Sequence, residues 1–278
     1  MSNALELRTL SVNDTVLHYQ QTGAGDLLVL VHGTVADYRT WRRQFSVFSK
    51  HYHVITYSRR LHFPNASQDD QEYSVELHAD DLSLLIQHFT DKPAHIVSAS
   101  WGGNVAMYLA LTRPELVRTL VLGEPPTLPL LLHDANLKYL ADEFNENAFF
   151  PARNALINNK WEEGVRLFVD GVMGTGSFDG MPSGVRRYFL DNATELKGEA
   201  ISTHYMFNFT RDLLTKISSP ALLLEGDKSP KLFHAILDIL ESSSPNAERH
   251  LIPNASHAIH VDNPAMYNNL VLSFLSRH

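Results

Sequence analysis

Residues 94–104 read AHIVSASWGGN, and this segment decides the fold of the chain. A β-branched and apolar run passes through Ser98-x-Ser100-x-Gly102 directly into the apolar stretch 105–110. The run predicts a buried strand and the stretch after it predicts a helix, so only a sharp turn remains between them. Small residues at 98 and 102 permit such a turn, because its strained backbone leaves no room for larger side chains.

A strand, a sharp turn and a helix in this order form the setting of a nucleophile elbow, with Ser100 as the candidate nucleophile. Ser100 stands at the start of the helix, where free N–H groups and the helix dipole favour a developing negative charge. Ser98 occupies a position at which glycine is more usual. An ordinary Ser/Gly turn leading into a helix remains the alternative for this pattern alone.

Length and composition limit the classes of protein that the chain can belong to. With 278 residues, 44% of them hydrophobic and 19% charged, the chain is expected to form one globular core with room for an inserted subdomain. A net charge of −8 without a basic cluster argues against nucleic acid or an anionic membrane as a partner. The chain contains no cysteine, which excludes disulfides, thiolate catalysis and cysteine-ligated metals.

No targeting or cofactor signal is visible in the sequence. Residues 1–8 lack a basic segment followed by an apolar one, so we expect no signal peptide, no membrane partner and a cytoplasmic location. Neither a His-Glu-x-x-His motif nor a dinucleotide-binding glycine loop occurs, so we expect neither a metal nor any other cofactor.

Strands and helices alternate along most of the chain, which predicts an α/β fold with a mostly parallel central sheet and helices on both faces. Residues 127–216 break this alternation with helical patterns only, and we interpret them as a helical cap inserted into a core formed by 1–126 and 217–278. The predicted strands are 5–12, 16–20, 27–31, 53–57, 94–97, 119–123, 221–225 and 249–252. The main predicted helices are 40–48, 74–89, 105–110, 137–144, 161–173, 231–241 and 264–275.

Several separated segments resemble the α/β-hydrolase superfamily over nearly the full length of the chain. Residues 32–33, His-Gly after the third predicted strand, resemble its HG motif. Residues 57–62 resemble its Asp-x-Arg-Gly-x-Gly loop, with Ser58 in place of the usual acid, and 253–257 resemble its Gly-x-x-His segment. Together with the elbow, these matches imply an α/β-hydrolase fold.

The resemblance also implies roles for individual residues. A serine nucleophile needs an adjacent base, and the base needs a carboxylate to set its tautomer and stabilise its cation. His257 lies where the superfamily places its histidine, with His260 as the nearest rival. The oxyanion hole would be formed by the backbone N–H groups of Thr34 and Trp101. We expect His32 to be structural.

The acid of the triad is the point at which this sequence departs most from the superfamily pattern. The usual Gly-x-x-Asp segment reads Gly-Asp-Lys-Ser over 226–229, so the usual acid position holds Ser229, which cannot stabilise an imidazolium. Glu124 follows a predicted buried strand directly, where a carboxylate without a partner would be costly. Some lactone hydrolases and dehalogenases of the superfamily take their acid from this strand. We therefore favour Glu124, with Asp227 as the alternative acid.

These residues together predict a cofactor-free serine hydrolase that acts on an apolar ester or lactone through an acyl-enzyme. C–C bond hydrolysis or perhydrolysis with the same triad is an alternative, and a ligand-binding receptor or inactive relative is another. The cap is expected to place Phe149, Phe150 and Met173 in an apolar pocket above Ser100. The side chain of Trp101 is a further candidate for the pocket wall.

Overall fold

A computed structural model describes residues 6–65 and 72–278 of the chain. The first residue of the strand predicted over 5–12 lies outside the described residues, as does most of the 1–8 segment in which no signal peptide is expected. Across the described residues, no helix combines the length and the apolar character needed to cross a membrane.

One mixed sheet contains the strands of the described residues. These strands are β1 (Arg8–Val12), β2 (Thr15–Thr22), β3 (Leu27–Val31), β4 (His53–Tyr57), β5 (Ala94–Ala99), β6 (Val117–Gly123), β7 (Ala221–Gly226) and β8 (Ala247–Ile252). Their order across the sheet is β1-β2-β4-β3-β5-β6-β7-β8. The β1–β2 and β2–β4 pairs are antiparallel and the other pairs are parallel.

The register of the central strands brings three chain segments to one edge of the sheet. Val31 of β3 pairs with Ser98 of β5, and Ala99 pairs with Gly123 of β6. The carboxyl ends of these parallel strands therefore lie side by side, which is where open α/β sheets place their ligand sites.

The helices before the middle of the chain are α1 (Arg42–Phe48), α2 (Val75–Phe89) and α3 (Trp101–Thr112), and those after it are α12 (Lys231–Ser243), α13 (Ile259–Asp262) and α14 (Pro264–Leu275). Residues 124–220 are all described, and they contain helices and no strand. Their α-helices are α4 (Leu128–Leu132), α5 (Lys138–Phe144), α6 (Phe150–Ile157), α7 (Trp161–Met173), α8 (Ser177–Gly180), α9 (Ser183–Leu190), α10 (Ala193–Ile201) and α11 (Arg211–Leu214), and a π-helix over Asn145–Phe149 joins α5 to α6.

Local sequence explains where the longer helices begin and end. The hydroxyl of Ser74 accepts a hydrogen bond from the N–H of Leu77 and so caps the first turn of α2. Helix α7 buries Val165, Phe168 and neighbouring apolar residues on one face. It ends at Gly174, whose φ of 107° is accessible to glycine and strained for other residues.

Two apolar layers cover the two faces of the sheet. Val29 and Val31 of β3 belong to the layer that also contains α2 and α3 residues, whereas Leu28 and Leu30 belong to the layer that contains α1 and α14 residues. Every residue of β3 is buried, as expected for a strand covered on both sides. The structure confirms the predicted α/β fold.

Candidate active site

Ser100 lies in a strained turn between β5 and α3. Its φ of 51° and ψ of −131° are rare for a residue with a side chain. Its N–H donates to the carbonyl oxygen of Gly123 over 2.7 Å, which anchors the turn to β6. A Cβ atom added at Gly102 would lie 2.5 Å from the carbonyl oxygen of His32, so only glycine allows α3 to approach β3 this closely.

A hydrogen-bonded chain joins Ser100, His257 and Glu124. Glu124 Oε2 lies 2.7 Å from His257 Nδ1, and His257 Nε2 lies 2.9 Å from Ser100 Oγ. Because an ionised carboxylate only accepts hydrogen bonds, Nδ1 carries the proton and Nε2 is free to accept from the serine hydroxyl. The structure thus brings together three of the residues that the sequence singles out, in one hydrogen-bonded chain.

Glu124 is fully buried at the end of β6, in a turn with a φ of 48°. Its second oxygen, Oε1, accepts the N–H of Gly226 over 2.8 Å. The carboxylate therefore has a donor on each oxygen, which offsets the free energy of its burial. The ring of His257 stacks on Phe233 with 4.0 Å between ring centroids, and this contact holds the imidazole plane in place.

Asp227, the alternative acid, is exposed and has a different set of partners. Its Oδ1 accepts the N–H of Ala255 over 3.1 Å. Hydrogen bonds from the backbone N–H groups of Asn254 and then Ala255 lower the pKa of Asp227. This carboxylate therefore shapes the loop that carries His257, while Glu124 is the carboxylate bonded to the imidazole.

His260, the rival base, is buried away from the serine hydroxyl. Its Nε2 lies 2.9 Å from Thr40 Oγ1, and its ring packs on Trp41 with 4.5 Å between centroids. Burial lowers the pKa of His260 to about 3. The side chain is therefore a neutral member of the core.

His32 and Arg59 fix the backbone that leads to Thr34. The Arg59 N–H donates to His32 Nε2 over 2.9 Å, so His32 Nδ1 carries the proton and donates to the carbonyl oxygen of Gly33. The Arg59 guanidinium donates to the carbonyl oxygens of His32 and Gly33 at 3.0 and 3.1 Å. A Cβ atom at Gly33 would lie 2.7 Å from the Cβ of Ser100, so this loop touches the candidate nucleophile.

The side chain of Trp101 has a different role from the one expected. Its ring is fully buried and packs against Tyr73 and His78, each with 5.0 Å between centroids. The Arg59 guanidinium lies 4.5 Å from the ring centroid. The expectation that this ring forms a pocket wall is wrong, because Tyr73, His78 and Arg59 enclose the indole.

Two glutamates of α10 contact the loop that contains Thr34 and Val35, and sequence reasoning missed both. Glu195 accepts the N–H of Val35 over 3.0 Å and the hydroxyl of Tyr73 over 2.5 Å. Val35 has a φ of 46°, a strained value for a β-branched residue, and this bond helps to maintain it. Glu199 accepts the hydroxyl of Thr34 over 2.8 Å. A four-residue spacing places both carboxyl groups on one face of the helix, but it does not reveal that this face is buried.

The charges of the two glutamates differ. Burial raises the pKa of Glu195, and the Arg59 guanidinium 3.9 Å away, with hydrogen bonds from Tyr73 and Val35, opposes this rise and favours the ionised form. Burial, followed by the charge of Glu195, raises the pKa of Glu199 to about 8. Glu199 is therefore a neutral carboxylic acid at pH 7. Throughout the described part of the chain, no three His, Asp or Glu side chains are arranged to hold a metal ion.

Two cavities meet at Ser100. The smaller has a volume of about 20 Å³ and is lined in part by Glu199 and Phe149. The larger is a cleft of about 760 Å³ that is lined in part by His257 and Met173. Phe149 and Met173 thus lie where the sequence predicts. Phe150 is 51% exposed and lines neither cavity, so that expectation is wrong.

Residues 26–264 match the family model described as alpha/beta hydrolase fold. The chain belongs to this family. The "Uncharacterized hydrolase YraK" of Bacillus subtilis is 35% identical over 50% of this α/β hydrolase and 51% of its own length, so that match spans about half of each protein. The "2-hydroxy-6-oxo-6-(2'-aminophenyl)hexa-2,4-dienoic acid hydrolase" of Metapseudomonas resinovorans is 24% identical over 97% of this chain and 91% of its own.

A solved structure shows the same fold. The bromoperoxidase of Bacillus anthracis superposes with a TM-score of 0.80 at 21% identity, covering 98% of this chain and 100% of its own. The family and fold expected from the separated motifs are thereby confirmed.

Proposed function

We propose that this α/β hydrolase is a serine hydrolase that cleaves a carboxylic ester or lactone through an acyl-enzyme. The observation that carries the proposal is the hydrogen-bonded chain from Glu124 through His257 to Ser100. This arrangement supplies a nucleophile, a base with an open nitrogen and a buried carboxylate to stabilise the imidazolium.

The proposed reaction has two steps. Ser100 Oγ attacks the carbonyl carbon while its proton passes to His257 Nε2, and the carbonyl oxygen becomes an oxyanion. The C–O bond of the ester then breaks, its electron pair goes to the leaving oxygen, and the proton on Nε2 passes to that oxygen. Water repeats the sequence on the acyl-enzyme, which releases the acid and restores Ser100.

The backbone N–H groups of Thr34 and Trp101 are the proposed oxyanion hole. Thr34 follows Gly33, which contacts Ser100. Trp101 is the residue after Ser100 and the first residue of α3. Removal of one such donor typically slows turnover about 100- to 1000-fold. Residues 127–216 are the proposed cap, because several of their side chains line both cavities at Ser100.

The proposed function is tested by comparing the wild type with Ser100→Ala, using 4-nitrophenyl acetate as substrate and a fluorophosphonate as covalent probe. The wild type should turn over repeatedly, and Ser100→Ala should lose about 10⁴-fold or more in kcat, because the nucleophile is absent. Peptide mapping should find the probe on Ser100. Full activity in Ser100→Ala, or labelling of Ser98 instead, would overturn the assignment.

The same assay separates the other functions that this triad can support. A ligand receptor would release one equivalent of nitrophenol and then stop. Cleavage of a diketone without ester turnover would indicate a C–C hydrolase, and peracid formation with peroxide in preference to hydrolysis would indicate a perhydrolase. Each of these results would contradict the proposed ester or lactone hydrolysis.

A further inference from the structure

Ser100 stands between two cavities of very different size. The small pocket, of about 20 Å³, has room for about one or two non-hydrogen atoms, as in a methyl or a hydroxymethyl group. The large cleft, of about 760 Å³, has room for a substituent of many atoms. Ser100, Thr34, Phe168 and Val172 line both spaces, so a substrate bound at the serine can extend into each of them.

His257 lines the large cleft and is absent from the lining of the small pocket, all of which belongs to the described residues. The position of His257 decides on which side of Ser100 each half of an ester binds. In the proposed reaction, Nε2 of His257 must deliver its proton to the leaving oxygen, so the leaving alcohol lies on the side of His257. The acyl group then extends to the opposite side of Ser100, into the small pocket.

The small pocket combines apolar walls with one buried acid. Glu199 is 3% exposed, and its hydrogen bond from Thr34 occupies Oε2. Apart from Ser100, Thr34, Glu199 and Tyr205, the lining side chains are apolar: Pro126, Leu128, Phe144, Phe149, Phe168, Val172 and Met206. As a neutral acid, Glu199 can also donate a hydrogen bond, which an oxygen on a short acyl group would accept.

We propose that the enzyme takes esters of a two-carbon acyl group bearing a hydroxyl oxygen, with that group in the small pocket against Glu199 and a bulky alcohol in the large cleft. This inference rests on the proposed serine hydrolase function. Glu199 acts here as a specificity residue that contacts the substrate, and the pocket wall limits the length of the acyl chain.

Two isomeric esters test the orientation of the substrate. Octyl acetate and methyl nonanoate have the same composition, but the long chain lies on the alcohol side of one and the acyl side of the other. We expect kcat/KM for octyl acetate to be about 100-fold higher or more, because several methylene groups find no space in the small pocket. Equal rates, or a preference for methyl nonanoate, would overturn the assignment of the two cavities.

A pair of neighbouring phenylalanines provides the matched control. Phe149 is buried in the wall of the small pocket, whereas Phe150 is 51% exposed and lines neither cavity. Phe149→Ala should reduce the preference for octyl acetate about tenfold by enlarging the pocket. Phe150→Ala should leave it unchanged, and equal effects of the two variants would contradict the proposed wall.

The role of Glu199 is tested with 4-nitrophenyl hydroxyacetate and 4-nitrophenyl propionate, whose acyl groups have nearly the same size. The ratio of their kcat/KM values should fall about tenfold in Glu199→Leu relative to the wild type, because the donor to the hydroxyl is lost. Glu199→Gln should preserve most of the ratio, since an amide still donates. An unchanged ratio in both variants would remove Glu199 from acyl recognition.

The two proposals can fail separately. If Ser100→Ala retains ester hydrolysis, the proposed function fails. If hydrolysis depends on Ser100 but favours long acyl chains, the proposed function stands and the short-acyl inference is wrong.

Discussion

Glu124 and Glu199 are both buried glutamates next to the Ser100 turn, yet their surroundings differ sharply. Glu124 receives an N–H from His257 on one oxygen and an N–H from Gly226 on the other. Glu199 receives the hydroxyl of Thr34, and its burial, followed by the charge of Glu195, raises its pKa to about 8. The same side chain can therefore act as an anionic partner of an imidazole in one place and as a neutral acid in another.

The largest expected effect comes from the carboxylate that is bonded to the imidazole. Glu124→Gln should lower kcat by about 10⁴-fold, since an amide can neither set the tautomer of His257 nor stabilise its cation. Asp227→Asn is the matched control, because the Asp227 carboxylate accepts from the backbone of the loop that carries the histidine, while the imidazole is bonded to Glu124. Stopped-flow and steady-state assays on 4-nitrophenyl acetate provide the measurement.

The opposite result would reverse the assignment of the acid. If Asp227→Asn loses the activity and Glu124→Gln keeps it, the hydrogen bond between Glu124 and His257 has no catalytic role. Thermal unfolding of both variants shows whether any loss reflects the fold.

The next prediction compares the stability of variants at the two glutamates of α10, measured at pH 7. Glu195→Gln removes the negative charge beside the buried guanidinium of Arg59, 3.9 Å away. Leaving a buried charge without its partner should lower the free energy of unfolding by about 3 kcal/mol. Urea denaturation measures this loss, and Glu199→Gln is the comparison, because the neutral acid at that position has no charge to remove and its substitution should not destabilise the protein at pH 7.

An equal loss of stability in both α10 variants would contradict this division of charge. A loss confined to Glu199→Gln would mean that the negative charge lies on the glutamate next to Thr34.

A graded effect of pH on stability follows from the pKa of Glu199. Its value of about 8 in the folded chain exceeds the ordinary glutamate value, so between about pH 4.5 and 8 folding takes up a proton. The stability of the wild type relative to Glu199→Gln is therefore fully present below about pH 4.5 and falls by up to about 1.4 kcal/mol per pH unit towards pH 8. Urea denaturation from pH 5 to 9 measures the difference.

The exposed residue Glu162 offers a control for this pH dependence. Glu162→Gln makes the same chemical change on the surface of α7, so its urea curves separate the effect of the substitution itself from the effect of the buried position. Parallel curves for the wild type and Glu199→Gln would show that Glu199 is ionised in the folded protein.

Sequence patterns could predict the fold because its signals are local. The buried run of β3 and the elbow of β5 and α3 each carry their own periodicity, and the bounds of β4, α7 and α14 match the predictions. The resemblance also singled out Ser100, His257 and Glu124, which the structure brings within hydrogen-bond distance.

Residues of the middle segment could not be placed from sequence. Glu195 and Glu199 lie more than 150 positions from the loop of Thr34 and Val35 that they contact. Their contribution depends on how α10 docks, which no local pattern encodes. The same reason explains why Phe149 faces a cavity while Phe150, one position later, faces solvent.

Mass spectrometry of the enzyme quenched during turnover of 4-nitrophenyl acetate tests directly whether an acyl-enzyme forms on Ser100. We predict one added acetyl group that maps to Ser100 in the wild type and is missing in Ser100→Ala. Turnover without any covalent acetyl group on Ser100, or with the group on another residue, would contradict the account.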